Sequence, residues 1–315
     1  MMRRSHAVQH PDAPAIRAQV LRGLAASRTP GFHFPGHFLG VSWPRIGEEE
    51  IEEVMPDGPH CRDADGSTSL VALAVLLDTA LATAPRLKIE RGARQGTVQI
   101  HAQFTGEPAG AALTARARLA GFTTGAVRQA LTRGAVFSAG RPVCYASGTF
   151  VVLPPPPGVT LAPLPWQRES SEPVSPLEEN ELRSDERSIM KACESALERA
   201  DQQHGFIEHF WGALPRATRY GARCTIRIGA QHGNRVGHVQ GGLLFGLAAV
   251  TARAAAARHP QLSAVSAWFV KPGEGSRLDV RSRLVHAGRS FAVVRTEVTA
   301  RGGTRVLEVV SNHAA

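Results

Sequence analysis

One short pattern occurs twice in this chain, around Gly66 and again around Gly237. The first copy reads D-A-D-G-S-T-S-L-V-A-L-A-V-L-L-D and ends at Asp78, and the second reads N-R-V-G-H-V-Q-G-G-L-L-F-G-L-A-A and ends at Ala249. The first copy has a carboxylate but no glycine pair, whereas the second has the glycine pair and an alanine where the carboxylate would fall. Two incomplete copies can form one complete site if the two halves of the chain face each other.

Each copy of the pattern leads into a long apolar segment. Residues 69–84 and 241–258 are rich in Ala and Leu, and at that length they predict buried helices rather than strands. Four strand-like segments follow each helix, at 96–104, 113–121, 126–138 and 143–153 and at 263–270, 276–285, 290–300 and 304–311. Further strands are predicted ahead of the helices, at 39–41 and 224–228.

This order of elements predicts an α+β fold. A helix that is apolar on all sides must be covered on all sides, and a curved antiparallel sheet can provide that cover. Prolines and acidic residues between the halves are typical of a stiff connector that does not pack as a domain. We therefore predict four regions: a helical leader at 1–28, domain 1 at 29–155, a proline-rich linker at 156–183 and domain 2 at 184–315.

Composition narrows the function classes. The absence of an uninterrupted run of eighteen apolar residues argues against a transmembrane helix, and no signal peptide is recognised. Four cysteines without C-x-x-C spacing favour a reducing cytoplasm over a disulfide framework or a zinc site. The net charge of +9 comes with spread arginines and only 6% aromatics, which does not favour nucleic acid. It fits either a phosphate-bearing ligand or a compositional bias that favours solubility.

The second copy resembles the stretch N-x-x-G-x-x-H-G-G, with an acidic residue nine positions after the histidine, of a known family. This family is the hotdog-fold acyl-CoA thioesterases of the phenylacetate-pathway type, in the 4-hydroxybenzoyl-CoA thioesterase superfamily. Four residues match, Asn234, Gly237, Gly241 and Gly242, while Gln240 replaces the histidine and Ala249 the acid. Gly66 and Asp78 match in the first half, and the later strands are similar in both halves.

The resemblance implies two tandem hotdog units that pair within one chain, with each active site shared between the units. One complete site would join Asn234, Gly241 and Gly242 of the second half to Asp78 of the first. The family often has Ser or Thr at the start of the strand after the helix, where this chain has Thr97 in the first half and Ala264 in the second. The reciprocal site is expected to be inactive, since Ser69-Leu70-Val71 would face Ala249 there.

The resemblance also implies thioester hydrolysis, without a metal or redox cofactor. Free N–H groups at a helix start stabilise a developing oxyanion, so the backbone of Gly241 is the predicted donor. Asn234 would add a second donor or orient the thioester, and Thr97 would hold the water. Asp78 would act as a general base or attack directly to give an anhydride, and both routes remain open. Three further residues are candidate substrate contacts: Gln240 through a hydrogen bond, Phe245 in an apolar pocket, and Arg289 at a CoA phosphate.

Each assignment has a structural alternative. Asp78 could face solvent or bond a backbone group, the glycine pair could serve close helix packing, and Asn234 could be a plain turn residue. Thr97 could be an ordinary strand threonine. The string H-F-P-G-H at 33–37 resembles one found in hotdog dehydratases, but it lies far ahead of the helix and is interpreted as a chance match.

Two other functions stay open at this point. One is a dehydratase or hydratase on the same fold, and the other is a non-catalytic protein that binds acyl-CoA or an acyl-carrier protein. The expected partner is an acyl-CoA substrate, with neither nucleic acid nor a membrane as partner. A homodimer of such double hotdogs is a further expectation.

Overall fold

The computed structural model describes residues 10–90, 92–154, 161–168 and 174–315. Six α-helices lie in these ranges: Ala13–Ser27 (α1), Phe34–Phe38 (α2), Leu70–Thr83 (α3), Ser184–Arg199 (α4), Phe206–Trp211 (α5) and Gly241–Ala255 (α6). The strands of the first half are Ser42–Ile46 (β1), Ile51–Met55 (β2), Arg94–Phe104 (β3), Leu113–Phe122 (β4), Gln129–Ser138 (β5) and Arg141–Leu153 (β6). Those of the second half are Arg216–Thr218 (β7), Gly221–Arg227 (β8), Gln261–Phe269 (β9), Arg277–Ala287 (β10), Phe291–Ala300 (β11) and Arg305–Ala314 (β12).

All twelve strands form one antiparallel sheet, in the order β1-β2-β4-β5-β6-β3-β9-β12-β11-β10-β8-β7. Each half contributes six strands in the same internal order, and the halves join where β3 pairs with β9. In this register Ile100 lies opposite Ala267, and His101 lies opposite Ser266 with 2.8 Å between its Nδ1 and the serine Oγ. The sheet is therefore continuous from one half to the other.

The two long helices α3 and α6 pack against each other inside this sheet, and both are almost entirely buried. Two glycines of α6 make the close approach possible. A Cβ added at Gly242 would lie 2.4 Å from the Ala74 carbonyl oxygen, and one at Gly246 would lie 2.7 Å from the Val71 Cα. Since real Cβ atoms do not approach backbone atoms so closely, glycine is required at both positions for this helix packing.

The predicted fold class is confirmed, because each half contains a long apolar helix covered by an antiparallel sheet. Both central helices and the eight strands that follow them begin and end within a few residues of the predicted bounds. The strand expected at 39–41 is wrong: Gly40 has φ +70° in a turn there, and the strands of this region are β1 and β2. The exact bounds of the four predicted regions stay a prediction.

The segments outside the predicted domains pack onto the molecule. Helix α1 is joined to α4 by two ion pairs, Arg17–Glu194 at 2.6 Å and Arg28–Glu186 at 2.8 Å. Residues 161–168 of the predicted linker pack against the rest of the molecule, with Leu164 buried, and that the linker forms no domain of its own stays a prediction. Residues 1–9 of the leader and 155–160 and 169–173 in and beside the linker lie outside the described residues.

By length and composition alone, Leu70–Leu87 would suffice to cross a membrane, at a mean hydropathy of 1.6. However, 78% of this window is buried within the protein, since it contains the central helix α3. Asp78 and Arg86 interrupt this window, so it is not an uninterrupted run of apolar residues.

Candidate active site

The carboxylate of Asp78 lies where the two central helices meet. Asp78 stands in the middle of α3 and is only 5% exposed. Its Oδ2 accepts hydrogen bonds from the backbone N–H of Gly242 at 3.0 Å and from Nε2 of Gln240 at 2.7 Å. Its Oδ1 accepts a longer bond of 3.2 Å from the hydroxyl of Thr97. The structure thus brings together four predicted site residues from both halves of the chain.

Gln240 connects the start of α6 to this carboxylate. It is the N-cap residue of α6, where its Oε1 accepts the backbone N–H of Leu243 at 2.7 Å while its Nε2 donates to Asp78. The side chain is 3% exposed. Both ends of its amide therefore have partners within the protein, Asp78 and the helix terminus, while the residue also lines the main cavity.

The two glycines at the start of α6 differ in their surroundings. The N–H of Gly242 is bound to Asp78, whereas the N–H of Gly241 has no acceptor among the residues that the structure describes. A Cβ added at Gly241 would lie 3.0 Å from Oδ2 of Asp78 and 3.2 Å from Oγ1 of Thr97. Gly241 therefore leaves open space beside the carboxylate, with a free backbone donor at the positive end of a helix.

Burial raises the pKa of Asp78 from 3.8 to about 6, because a charged carboxylate is poorly solvated there. The hydrogen bonds from Thr97, Gly242 and Gln240 oppose this rise, since they favour the ionised form. A second buried carboxyl, Glu53, accepts the indole N–H of Trp43 at 2.7 Å and the hydroxyl of Thr83 at 2.6 Å. Burial raises its pKa to about 7. Because the pKa of Asp78 is about 6, this carboxylate is mostly ionised at neutral pH, although its charge is poorly solvated.

Asp78 opens onto a cavity of about 500 Å³ that is lined by both halves of the chain. One wall is a face of α3 and the turn that follows it, formed by Asp78, Thr79, Ala82, Thr83 and Arg86. The second half of the chain contributes Asn234 from the loop before α6 and Gly241 from the first position of α6. Oδ1 of Asn234 accepts the N–H groups of Val236 and His238, each at 3.0 Å, so this side chain holds the turn.

Residues 161–168 cover part of the same cavity. Leu161, Leu164 and Trp166 line it, and the Trp166 ring lies 5.1 Å from that of Trp43 in β1. This role was not predictable from the sequence, because proline-rich composition predicts only a connector.

Two predicted substrate contacts do not line the cavity. Arg289 is exposed in the turn between β10 and β11, and Phe245 is fully buried in the core. The apolar lining comes instead from residues such as Leu244 and Phe269, and the basic lining comes from Arg86, Arg94, Arg235 and Lys271. The signals for two of these were present in the sequence: Arg86 follows the helical spacing of Asp78, Ala82 and Thr83, and Arg235 follows Asn234.

The H-F-P-G-H string forms the short helix α2 and its N-cap, and His33 lines the cavity. Nδ1 of His33 accepts the N–H of Gly36 at 3.0 Å, and burial lowers the pKa of His33 to about 3. The imidazole is therefore neutral at physiological pH. No hydrogen bond joins His33 to Asp78 in the described structure.

The reciprocal position has different residues. Ser69 caps α3, with its hydroxyl oxygen accepting the N–H of Val71 at 3.3 Å, and Ala249 is fully buried. A cavity of about 460 Å³ at this end is lined by Ser69, Val71, Asp63 and Arg253 among others, but not by Ala249. Among the described residues, no group of three or more His, Cys, Asp or Glu side chains is placed to hold a metal ion.

Sequence comparison covers only the second half. Residues 230–313 match the family model described as the acyl-CoA thioesterase N-terminal domain. This range contains the loop before α6, α6 itself and β9 to β12. No curated protein matches the chain in sequence.

Solved structures match nearly the whole chain. A protein provisionally assigned as an oleoyl thioesterase from Lactobacillus plantarum is 12% identical, with a TM-score of 0.54 over 84% of this chain and 96% of that one. The tesB protein of Mycobacterium avium subs paratuberculosis is 15% identical, with a TM-score of 0.51 over 87% and 96%. A conserved protein of unknown function with a hot dog fold, from Alicyclobacillus acidocaldarius, is 10% identical, with a TM-score of 0.51 over 87% and 96%. The chain therefore has the hotdog fold twice, and its second half matches an acyl-CoA thioesterase domain.

Proposed function

We propose that this protein hydrolyses acyl-CoA thioesters at the site between α3 and α6. The observation that carries this proposal is the position of the buried Asp78 carboxylate. It lies 3.0 Å from the N–H of Gly242, next to the free N–H of Gly241, and it opens onto a cavity of about 500 Å³. A base and an oxyanion donor on adjacent walls of one cavity are what attack on an acyl carbon requires.

The thioester carbonyl oxygen accepts the N–H of Gly241 in this mechanism. Negative charge develops on that oxygen during attack, and the N-terminal end of α6 stabilises it. Loss of such a donor typically raises the barrier by about 3–4 kcal/mol. The missing side chain of Gly241 lets the thioester approach the backbone, because a Cβ would lie 3.0 Å from Asp78.

Asp78 acts on the other reactant. As a general base it takes a proton from water, the resulting hydroxide attacks the acyl carbon, and the C–S bond breaks. The proton then passes to the CoA thiolate, so that a free acid and a thiol leave. In the alternative route, an oxygen of Asp78 attacks the acyl carbon, and the C–S bond breaks to release the CoA thiolate and leave an anhydride. Water then hydrolyses the anhydride, which regenerates Asp78 and releases the acid, and the proton from water passes to the thiolate. A carboxylate with a pKa raised to about 6 suits both routes at neutral pH.

Gln240 and Thr97 position this carboxylate in the proposal. Their bonds to opposite oxygens of Asp78, 2.7 and 3.2 Å long, fix the carboxylate plane toward the cavity. In the family pattern N-x-x-G-x-x-H-G-G, the histidine at the position of Gln240 would supply a side-chain N–H, and the glutamine amide supplies one as well. Replacement of histidine by glutamine at this position is therefore compatible with hydrolysis.

Two observations support the finer assignment to thioesterases of the phenylacetate-pathway type, namely the glycine pair at the start of α6 and the carboxylate supplied by the other half. The family-model match at 230–313 supports the coarser assignment to acyl-CoA thioesterases. With Ala249 at the reciprocal position, one site per chain is active in this proposal. The buried, free cysteines support a reducing cytoplasm as its location.

A panel of acyl-CoA esters with short, long and aryl acyl groups, assayed for thiol release and for the free acid, tests this function. Hydrolysis of at least one class at a rate well above the uncatalysed reaction is expected. Tight binding of the esters without thiol release would favour a non-catalytic binding protein. Hydration of enoyl-CoA without release of thiol would favour a hydratase instead.

A further inference from the structure

Two arginines lie on the wall that separates the main cavity from a smaller one. Arg86 and Arg235 line both the cavity of about 500 Å³ and a neighbouring cavity of about 230 Å³ under residues 161–168. Arg86 follows α3 in the first half, and Arg235 lies in the loop before α6 in the second. Like the carboxylate site, this arginine pair therefore combines side chains from both halves of the chain.

Both guanidinium groups are half-buried and repel each other. Burial and the charge of Arg235 lower the pKa of Arg86 to about 10, and burial and the charge of Arg168 lower the pKa of Arg235. Within residues 10–90, 92–154, 161–168 and 174–315, no carboxylate lies within 4.0 Å of either group, although Glu90 lines the smaller cavity. The structure thus holds two like charges together without a protein counter-ion among these residues.

Few of the hydrogen-bond donors of this pair are used. Nη1 of Arg86 donates to the carbonyl of Ala93 at 2.7 Å, and Nη2 of Arg235 donates to the carbonyl of Ala162 at 2.9 Å. These bonds fix the side chains and leave further N–H groups on each guanidinium. Planar guanidinium groups bind carboxylates and phosphates through paired hydrogen bonds, and such a ligand would also offset the repulsion.

The position of the pair fits one end of an extended ligand. Arg86 lies eight positions beyond Asp78, in the turn that follows the C-terminal end of α3, so the two residues lie at different points along the cavity. A ligand whose thioester lies at Asp78 and whose anionic group lies at the arginines would run along the cavity wall formed by Ala82 and Thr83.

We propose that Arg86 and Arg235 bind an anionic oxygen group of the thioester substrate, at a distance from the scissile bond along the same cavity. This inference rests on the proposed thioesterase function and names the substrate chemistry that it takes. The anionic group belongs either to the CoA moiety, as a phosphate, or to the far end of the acyl chain, as a carboxylate.

A four-substrate comparison distinguishes the two sources. A neutral linear acyl group and one of equal length with a terminal carboxylate are each prepared as the CoA ester and as the N-acetylcysteamine ester, which has no phosphate. The full chain, Arg86→Gln, Arg235→Gln and the double variant are compared, with Arg283→Gln as matched control. Arg283 is an exposed arginine of β10 that lines neither cavity.

The arginine variants are expected to raise KM about tenfold or more for substrates with the recognised anion, with little change in kcat. If KM rises only for the two CoA esters, the bound group is a CoA phosphate. If KM rises only for the two esters with a terminal carboxylate, the bound group is the acyl carboxylate. Equal effects on all four esters, or none, would overturn the proposal.

A binding measurement separates this inference from the proposed function. Calorimetric titration of free CoA and of a linear dicarboxylate requires no turnover. One outcome is that no ester is hydrolysed but the arginine variants bind one of these probes about tenfold more weakly than wild type and Arg283→Gln do. This result would support the anion site and refute the thioesterase function. If the esters are hydrolysed and the substitutions change the affinity for neither probe, the thioesterase function is supported and the anion site at Arg86 and Arg235 is refuted.

Discussion

The substitution Asp78→Asn is expected to stabilise the protein at neutral pH. The pKa of Asp78 rises from 3.8 to about 6 on folding, and one pKa unit corresponds to about 1.4 kcal/mol. The ionised carboxylate is therefore disfavoured in the folded chain by about 3 kcal/mol at pH 8. Asparagine has nearly the same shape as the protonated acid and is neutral, so it avoids this cost.

Asparagine can also keep the hydrogen bonds of the site. Its Oδ1 can accept the N–H of Gly242 and Nε2 of Gln240, and its Nδ2 can donate to the hydroxyl oxygen of Thr97. The Thr97 hydroxyl proton, which loses Oδ1 of Asp78 as its acceptor, and the second N–H of the asparagine can reach water in the cavity that both residues line. The stabilisation is thus not offset by a newly unsatisfied polar group.

The effect has a defined pH dependence. A raised pKa means that the stability contributed by the protonated acid is complete below pH 3.8 and is lost as pH rises through about 6. Variant and wild type should therefore be equally stable near pH 4 or below, and the variant should be more stable above pH 6. With an unfolding entropy of about 2.1 cal/mol/K per residue, ~3 kcal/mol corresponds to roughly 4–5 °C in Tm for a chain of this length.

Differential scanning calorimetry of both proteins between pH 4 and pH 8 measures this difference. A variant that is less stable than wild type at pH 8 would refute the reasoning, because it would show that the folded protein favours the charge of Asp78. A Tm difference of the same size at every pH would refute it as well, since the gain would then not come from the carboxylate proton.

Three further outcomes follow from the same geometry. In wild type, kcat/KM should fall as pH falls through about 6, because only ionised Asp78 serves as base or nucleophile; a pH-independent rate between 5 and 8 would contradict this. Gly241→Ala should lower kcat by about 100-fold with little change in Tm, because its Cβ would lie 3.0 Å from Asp78 Oδ2 in the reaction space. Gly242→Ala should lower the free energy of unfolding by about 1–3 kcal/mol, because its Cβ would lie 2.4 Å from the Ala74 carbonyl oxygen and force α3 and α6 apart. Urea denaturation measures this loss, and an unchanged midpoint would contradict it.

The sequence predicted the fold well because its signals are local. Long apolar segments rich in Ala and Leu predict α3 and α6, and alternating segments predict β3 to β6 and β9 to β12. The short strands β1 and β2 were missed, since β1 contains Pro44 and neither strand is apolar over its length. The packing of residues 161–168 was missed because composition reports chain stiffness and not which surface a segment covers.

The candidate site was predictable only at the positions where one half of the chain has a motif residue that the other half lacks. The absence of the acid at Ala249 and its presence at Asp78 identified the pair of facing elements. The different surroundings of Gly241 and Gly242 were not predictable, because they depend on the crossing of two helices that are distant in sequence. Arg289 was predicted as the phosphate contact and Arg235 was not considered, although Arg235 follows the candidate residue Asn234 in the sequence.

The most direct test of the account compares thiol release by wild type, Asp78→Asn and the control Asp185→Asn, an exposed aspartate of α4, on the acyl-CoA ester that wild type hydrolyses best. Folding of each variant is verified by calorimetry. Asp78→Asn is expected to lower kcat by at least about 1000-fold, whereas Asp185→Asn should match wild type. A folded Asp78→Asn protein that releases thiol at the wild-type rate would contradict it.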